Sequence, residues 1–320
     1  MFIQLALVPA LLASPAPQAT TLSVPATAPS VAAATTTANA NGTPRPGNIV
    51  EVATNNGNFT TLVAALQATG LDAALDGSQS EERFTVFAPT DAAFAALPPG
   101  ATVPELLLDL PRLSDILLYH VAEGGLLSGN VLAVPTLDTL NGQRVDVSLT
   151  NGIPFIDQSQ LIITDLLTSN GVIHVIDRVL IPNEATLVET AAGAPDAAYL
   201  SHLLEFLPAL EQTLDTSDFT VFAPSNAAFQ QIPGAALRSL VLAPNLPTLE
   251  SILAVHVVPG RLFADDVIAA GQLTSVGGKV LPVTVQGGSV FIDGALIVLT
   301  DVETANGNIH FIDTVLMPMP

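Results

Sequence analysis

The stretch Phe84-Thr-Val-Phe-Ala-Pro-Thr-Asp-Ala-Ala-Phe94 returns as Phe219-Thr-Val-Phe-Ala-Pro-Ser-Asn-Ala-Ala-Phe229, 135 positions later. Gly171-Val-Ile-His-Val-Ile-Asp-Arg-Val-Leu-Ile-Pro182 returns as Gly307-Asn-Ile-His-Phe-Ile-Asp-Thr-Val-Leu-Met-Pro318, shifted by 136. Between them, Leu113 to His120 is matched by Leu249 to His256, again shifted by 136. Three anchors in one order at near-constant spacing mean a tandem duplication. The period is far longer than the ~20–50 residues of a solenoid repeat, so each copy is expected to be a folding unit with its own core. The expected boundaries are 48–183 and 184–320, preceded by a tail over 1–47.

The 320 residues carry a net charge of −21. It is shared evenly: residues 1–183 hold 5 basic and 15 acidic side chains, and residues 184–320 hold 3 and 14. Neither copy offers the basic footprint that phosphate-backbone binding requires, which excludes nucleic acid. There is no cysteine, so disulfides, thiolate chemistry and Cys-ligated zinc are excluded as well.

Phe2 to Ala13 is apolar but far shorter than the ~20 residues needed to cross a bilayer. Its length suits the core of a secretory signal, although no Lys or Arg precedes Arg45. Residues 14–47 are Ala, Thr, Pro and Ser with one charge and are expected to form a flexible stalk. Sequons at Asn41 and Asn58 matter only in a host that glycosylates.

Within the first copy, Ile49 to Ala53 and Leu62 to Leu71 have helical spacing. Phe84 to Ala88 is rich in β-formers and precedes a proline, so it is expected to be extended. Thr90 is the expected N-cap of a helix reaching about Leu97, and Ser225 replaces it with the same hydroxyl. Phe94 and Leu97 become Phe229 and Ile232, a core face. Ala95 and Ala96 become Gln230 and Gln231, a face toward water. Tight-turn pairs at Asn141-Gly142 and Asn151-Gly152, replaced by Gly-Gly at 277–278 and 287–288, mark hairpins in the later half. Helices early and mostly antiparallel strands late give the α+β class.

Four of the five histidines form matched pairs, His120 with His256 and His174 with His310. One active site needs no duplicate, so His120 and His256, each on an apolar helical stripe, are expected to be buried and hydrogen-bonded. His174 and Asp177 lie three apart on an expected strand running from Gly171 to Ile181. Their side chains then point to opposite faces and cannot grip one metal ion. Asp177 and Asp313 share faces with apolar residues and are expected to accept backbone N–H bonds from a neighbouring loop. No Gly-x-Ser-x-Gly, P-loop, dinucleotide or EF-hand pattern occurs. Asp265-Asp266 reads as a solvated helix start. No cofactor and no metal are expected.

The repeated blocks resemble the fasciclin (FAS1) family. Thr85 to Phe94 is similar to its first signature block, Tyr119-His120 to its Tyr-His motif, and Gly171 to Leu180 to its second block. Thr220 to Phe229 and Gly307 to Leu316 repeat both blocks. The resemblance implies two tandem domains, each a β-sandwich or wedge with several packed helices, in a secreted or cell-envelope protein. It implies adhesion to extracellular matrix, polysaccharide or cell-surface protein, and no catalysis. In animal members the Tyr-His region is linked with integrin binding, which maps to Tyr119 and His120. The second copy has Val255 in place of the tyrosine. The resemblance also leaves room for a carrier of an apolar molecule such as a carotenoid or lipid. The chain ends at Pro320 directly after the last strand, so release, or retention by its own stalk, is expected.

Overall fold

The structure, a computed structural model, describes residues 37–38, 44–77 and 82–318. The signal-like segment and Asn41 lie outside the described residues. Within the expected stalk, Thr37–Ala38 pairs antiparallel with Pro44–Arg45.

Each copy builds one seven-stranded sheet. In the first copy the strands are β1 (Phe84–Pro89), β2 (Val121–Glu123), β3 (Thr136–Asp138), β4 (Arg144–Thr150), β5 (Ile153–Ile156), β6 (Ser159–Leu167) and β7 (Gly171–Ile176), in the order 2-1-7-6-5-4-3. The second copy repeats the order with β8 (Phe219–Pro224), β9 (Val257–Pro259), β10 (Gln272–Thr274), β11 (Val280–Gln286), β12 (Ser289–Ile292), β13 (Ala295–Thr304) and β14 (Gly307–Ile312). The architecture is α+β. All ladders are antiparallel except β1 with β7 and β8 with β14.

That parallel pair is buried at every residue, as strands covered on both faces must be. Its period of two sorts side chains into two cores. Phe84, Val86, Ala88, Ile173 and Val175 face the helices together with Phe59, Leu62, Phe94, Ile116 and Leu117. Phe87 and Ile176 face the opposite side and pack with Val131, Val145 and Ile156 inside the folded-over sheet. The second copy divides alike, with Val221, Ile309 and Phe311 on the helical side and Phe222 and Ile312 on the other.

The sheet folds over where its long strand is bulged. On β6 the register slips between Leu161 and Ile163 and again before Leu166, and Asp165 adopts a left-handed φ of 62°. β13 repeats both slips, with Asp301 at φ 58°. Extra residues bend and twist a strand, and aspartate tolerates the left-handed region better than most residues. Asp165 accepts the Ser128 N–H at 2.7 Å and Asp301 the Ala264 N–H at 2.8 Å, which pins each bend to a helix start.

Two shared residues gain a structural reason. Asn170 accepts the Ile49 N–H at 2.9 Å and donates to the Leu75 carbonyl at 2.7 Å, tying two helix ends to the start of β7. Asn306 does the same for Leu187 and Leu214. At Gly171 and Gly307 an added Cβ would stand 2.0 Å from the Phe84 carbonyl oxygen and 1.8 Å from that of Phe219, so only glycine allows the parallel strands to approach.

The last strands end at Ile176 and Ile312, not at Ile181 and Met317. The partner strand β6 begins at Ser159, after a turn at Asp157 with φ 51°, so the ladder has nothing further to pair with. Asp177 therefore sits at the surface just beyond the strand and not on its apolar face.

Replacing Gly171 by alanine should cost about 3 kcal/mol or more in urea unfolding, because backbone cannot move aside. Gly152→Ala, at an exposed turn with φ 80° and open space around it, should cost about 1–2 kcal/mol. Equal losses at the two sites would contradict the assignment.

Candidate functional site

The residues repeated in both copies are committed to packing. Thr90 accepts the Ala93 N–H at 3.2 Å and caps a helix over Asp91–Ala95. Ser225 accepts the Ala228 N–H at 3.3 Å and caps Asn226–Gln230. Phe94 and Phe229 on those helices are 4% and 2% exposed.

His120 is the C-cap of the helix Leu110–Tyr119 and is 1% exposed. Its Nδ1–H donates to the Ile116 carbonyl at 2.7 Å, which leaves Nε2 to accept the Leu180 N–H at 2.9 Å. His256 repeats the pattern with Ile252 at 2.8 Å and Leu316 at 2.8 Å. Each ring thus ties a helix end to the segment after the last strand. Burial pushes both imidazoles down to about 4, against which the carbonyl bond acts in the other direction. His174 and His310 donate through Nε2 to the Leu126 and Leu262 carbonyls, at 2.9 and 3.0 Å, and stack on Phe87 and Phe222. Their Nδ1 atoms accept the N–H of the bulge residues Asp165 and Asp301.

Tyr119 is buried, and its hydroxyl lies 3.0 Å from both the Arg144 carbonyl and the Asp157 carboxylate. Burial and the neighbouring Asp157 raise its pKa. Tyr119 and His120 therefore lie beneath the surface with their polar atoms engaged. Asp177 accepts the Gln160 N–H at 2.7 Å, and Asp313 the Leu296 N–H at 2.9 Å. Among the described residues no group of three or more His, Cys, Asp or Glu could hold a metal ion.

The two copies differ in structure at two places. One is an open groove of about 870 Å³ in the first copy. Leu97, Pro98, Val179 and Ile181 form apolar walls, and Asp146, Asp157, Ser159, Asp177 and Arg178 supply polar groups. Asp157 accepts the Asp146 N–H at 2.7 Å, yet burial keeps its carboxyl above the ordinary range. In the second copy the corresponding space is bridged. Gln231, where the first copy has Ala96, donates to the Asp313 carbonyl at 2.9 Å, and the Lys279 ammonium pairs with Asp293.

The other place is the joint between the copies, which centres on Arg144. Its guanidinium donates twice to Asp265 of the second copy, at 2.9 and 3.2 Å, and once to Asp138 at 2.6 Å. It lies 3.6 Å above the centre of the Phe263 ring. Burial opposes the charge, but the two carboxylates outweigh it and hold its pKa above the usual value. Glu303 accepts the Arg144 N–H at 2.8 Å, and Asn183 in the connecting segment donates to the Glu303 carbonyl at 2.7 Å. Gln143 clamps Asn183 through both main-chain groups at 2.9 Å, and Arg112 holds Glu184 through two bonds. Asp265 is thus a partner of Arg144 and not merely a solvated helix start.

A family model described as Fasciclin domain matches residues 57–182 and again 196–318. An uncharacterized protein of Synechocystis sp. is 42% identical over 134 residues, covering 42% of this chain and 97% of that protein. The transforming growth factor-beta-induced protein ig-h3 of Sus scrofa is 38% identical over 140 residues, 44% of this chain and 20% of that one. A solved FAS1 domain pair from the insect cell adhesion molecule Fasciclin I aligns with a TM-score of 0.40 at 19% identity, covering 82% of this chain and 97% of that chain. No helix among the described residues is long and apolar enough to cross a membrane.

The two capping histidines set a pH dependence. Their folded pKa is depressed from 6.5 to about 4, so the stability they contribute is complete above pH 6.5 and lost as pH falls through 4. On the order of 3 kcal/mol is at stake for each. Urea midpoints should drop steadily from pH 6.5 to 4, and a His120→Gln variant should show a shallower drop. A flat profile over that window would contradict the buried neutral assignment.

Proposed function

The chain belongs to the fasciclin domain family, and from that premise we propose that it is a secreted or cell-envelope adhesion protein that engages matrix polysaccharide through its first domain. The proposed domains span 48–183 and 184–320. The observation that carries this reading is the groove of the first copy, open where Ala96 replaces the bridging Gln231. Its mixture of apolar walls with carboxylate, hydroxyl and guanidinium groups suits a sugar chain, whose rings present C–H faces and whose hydroxyls both donate and accept. His120 and His256 are neutral, buried and fully bonded, so neither the family's Tyr-His position nor its counterpart presents an imidazole to the groove.

The carrier reading draws no comparable support. The apolar cavity of the second copy, lined by Leu203, Phe229, Ile232, Leu237, Leu249 and Ile252 among others, has a volume of about 210 Å³. Pockets that enclose a drug-sized molecule run to ~300–1,000 Å³, and a carotenoid is larger still.

Ile181 and Arg178 line the groove and are exposed. Ile181→Glu and Arg178→Glu should each cut retention of the protein on envelope or matrix polysaccharide by about tenfold, equivalent to ~1.4 kcal/mol, with unfolding midpoints unchanged. Undiminished retention in the combined variant would contradict the assignment of the groove.

A further inference from the structure

Glu303 stands on β13 at the boundary between the two copies. The corresponding residue of the first copy is Leu167, which is 61% exposed, so the shared fold does not require a carboxylate at this position. In the second copy the side chain turns into the joint, where its Oε2 accepts the Arg144 N–H at 2.8 Å and so bonds one copy to the other. Two guanidinium groups lie near, and both are committed elsewhere. Arg144 holds Asp138 and Asp265. Arg261 donates to the carbonyls of Thr304, Gly307 and Ala305, at 2.9, 3.2 and 2.9 Å. Among the described residues no ion pair joins Glu303 to a cation.

The remaining titratable groups around it supply no positive charge. Asp146 approaches from β4, where it follows Arg144 by two residues on the same face. The Tyr119 hydroxyl approaches from the helix Leu110–Tyr119. Asp138 on β3 and Asp265 on the helix Ala264–Ala270 bind the Arg144 guanidinium and so occupy its charge. A carboxylate withdrawn from water with one main-chain donor, no ion pair and a like charge beside it is stable in its neutral form and costly in its ionised one.

We propose that Glu303 is a proton-controlled latch between the two copies, closing the joint when its carboxyl is neutral and loosening it when the carboxyl ionises. Burial, opposed by the Arg144 N–H and by the Arg261 and Arg144 charges, lifts the carboxyl from 4.5 to about 7. A raised carboxyl pKa makes the docked state the tighter proton binder. The contribution to docking is therefore complete below pH 4.5 and lost as pH rises through 7, opposite in sign to the histidine effect within each copy. Protonation leaves the carbonyl oxygen free to keep the Arg144 N–H bond.

The chain has no cysteine, so two labels can be placed cleanly. Thr150→Cys and Thr284→Cys put one fluorophore on an exposed strand position of each copy, and single-molecule energy transfer in the full chain reads the separation. One narrow population is expected at pH 5.5. By pH 8.5 a second, broad population should grow at least tenfold, with its midpoint near 7. Glu303→Gln, and Glu303→Leu, which installs the residue of the first copy, should each keep the narrow population at both pH values. Identical distributions at pH 5.5 and 8.5 in the labelled parent would overturn the proposal, whatever the variants do. So would a variant that folds and retains the full pH response.

Discussion

Each unit depends on an imidazole that has no water to turn to. His120 and His256 sit at helix ends beneath the sheet, and each spends one nitrogen on the carbonyl four residues back and the other on the main chain 60 residues ahead. Buried polar atoms left unpaired are expensive, so the two bonds fix where the helix stops and where the chain must pass after the last strand. Val179, Leu180, Val315 and Leu316 are thereby drawn into the cores. The second histidine pair works in the same way on the bulged strand. His174 and His310 take the N–H groups that the bulges leave out of the ladder, so the bend that folds the sheet over is satisfied by a side chain from the neighbouring strand.

The duplication then separates what is structural from what is individual. Residues retained in both copies, such as Asn170 and Asn306 or Gly171 and Gly307, make contacts within one unit. Arg144, Phe263, Asp265 and Glu303 are replaced in the other copy by Val280, Leu127, Gly129 and Leu167, and these four meet at the joint. A guanidinium that forks onto one carboxylate, contacts a second and lies over an aromatic ring is held by geometry as well as charge. In a chain of net charge −21 it is also one of few cations available to offset repulsion between two acidic units.

The sequence was informative wherever the relevant interaction is local or repeated. Thr90 and Ser225 cap helices three residues away, and comparing Ala95-Ala96 with Gln230-Gln231 reveals the outward face. Asp177 and Asp313 have main-chain donors, but these stand on β6 and β13 and not in a loop, and both aspartates lie past the strand end and off its apolar face, because nothing local marks the point at which β6 or β13 runs out as a partner. The joint was illegible. Arg144 meets partners 121 and 159 positions away, and no periodicity encodes such a pairing, so Asp265 read as a solvated helix start. Asn170 and Asn306 could have been found, because an asparagine kept in both copies before an obligatory glycine is a stronger signal than a turn requires.

Repeated residues hold each unit, and unrepeated ones couple the two. Scanning calorimetry of the full chain near pH 6 tests it most directly, with Arg144→Ala as the perturbation. Coupled units should unfold in one cooperative transition, and the variant should split it into two while leaving the stability of the second unit nearly unchanged. Two independent transitions in the parent, unmoved by Arg144→Ala, would contradict the account.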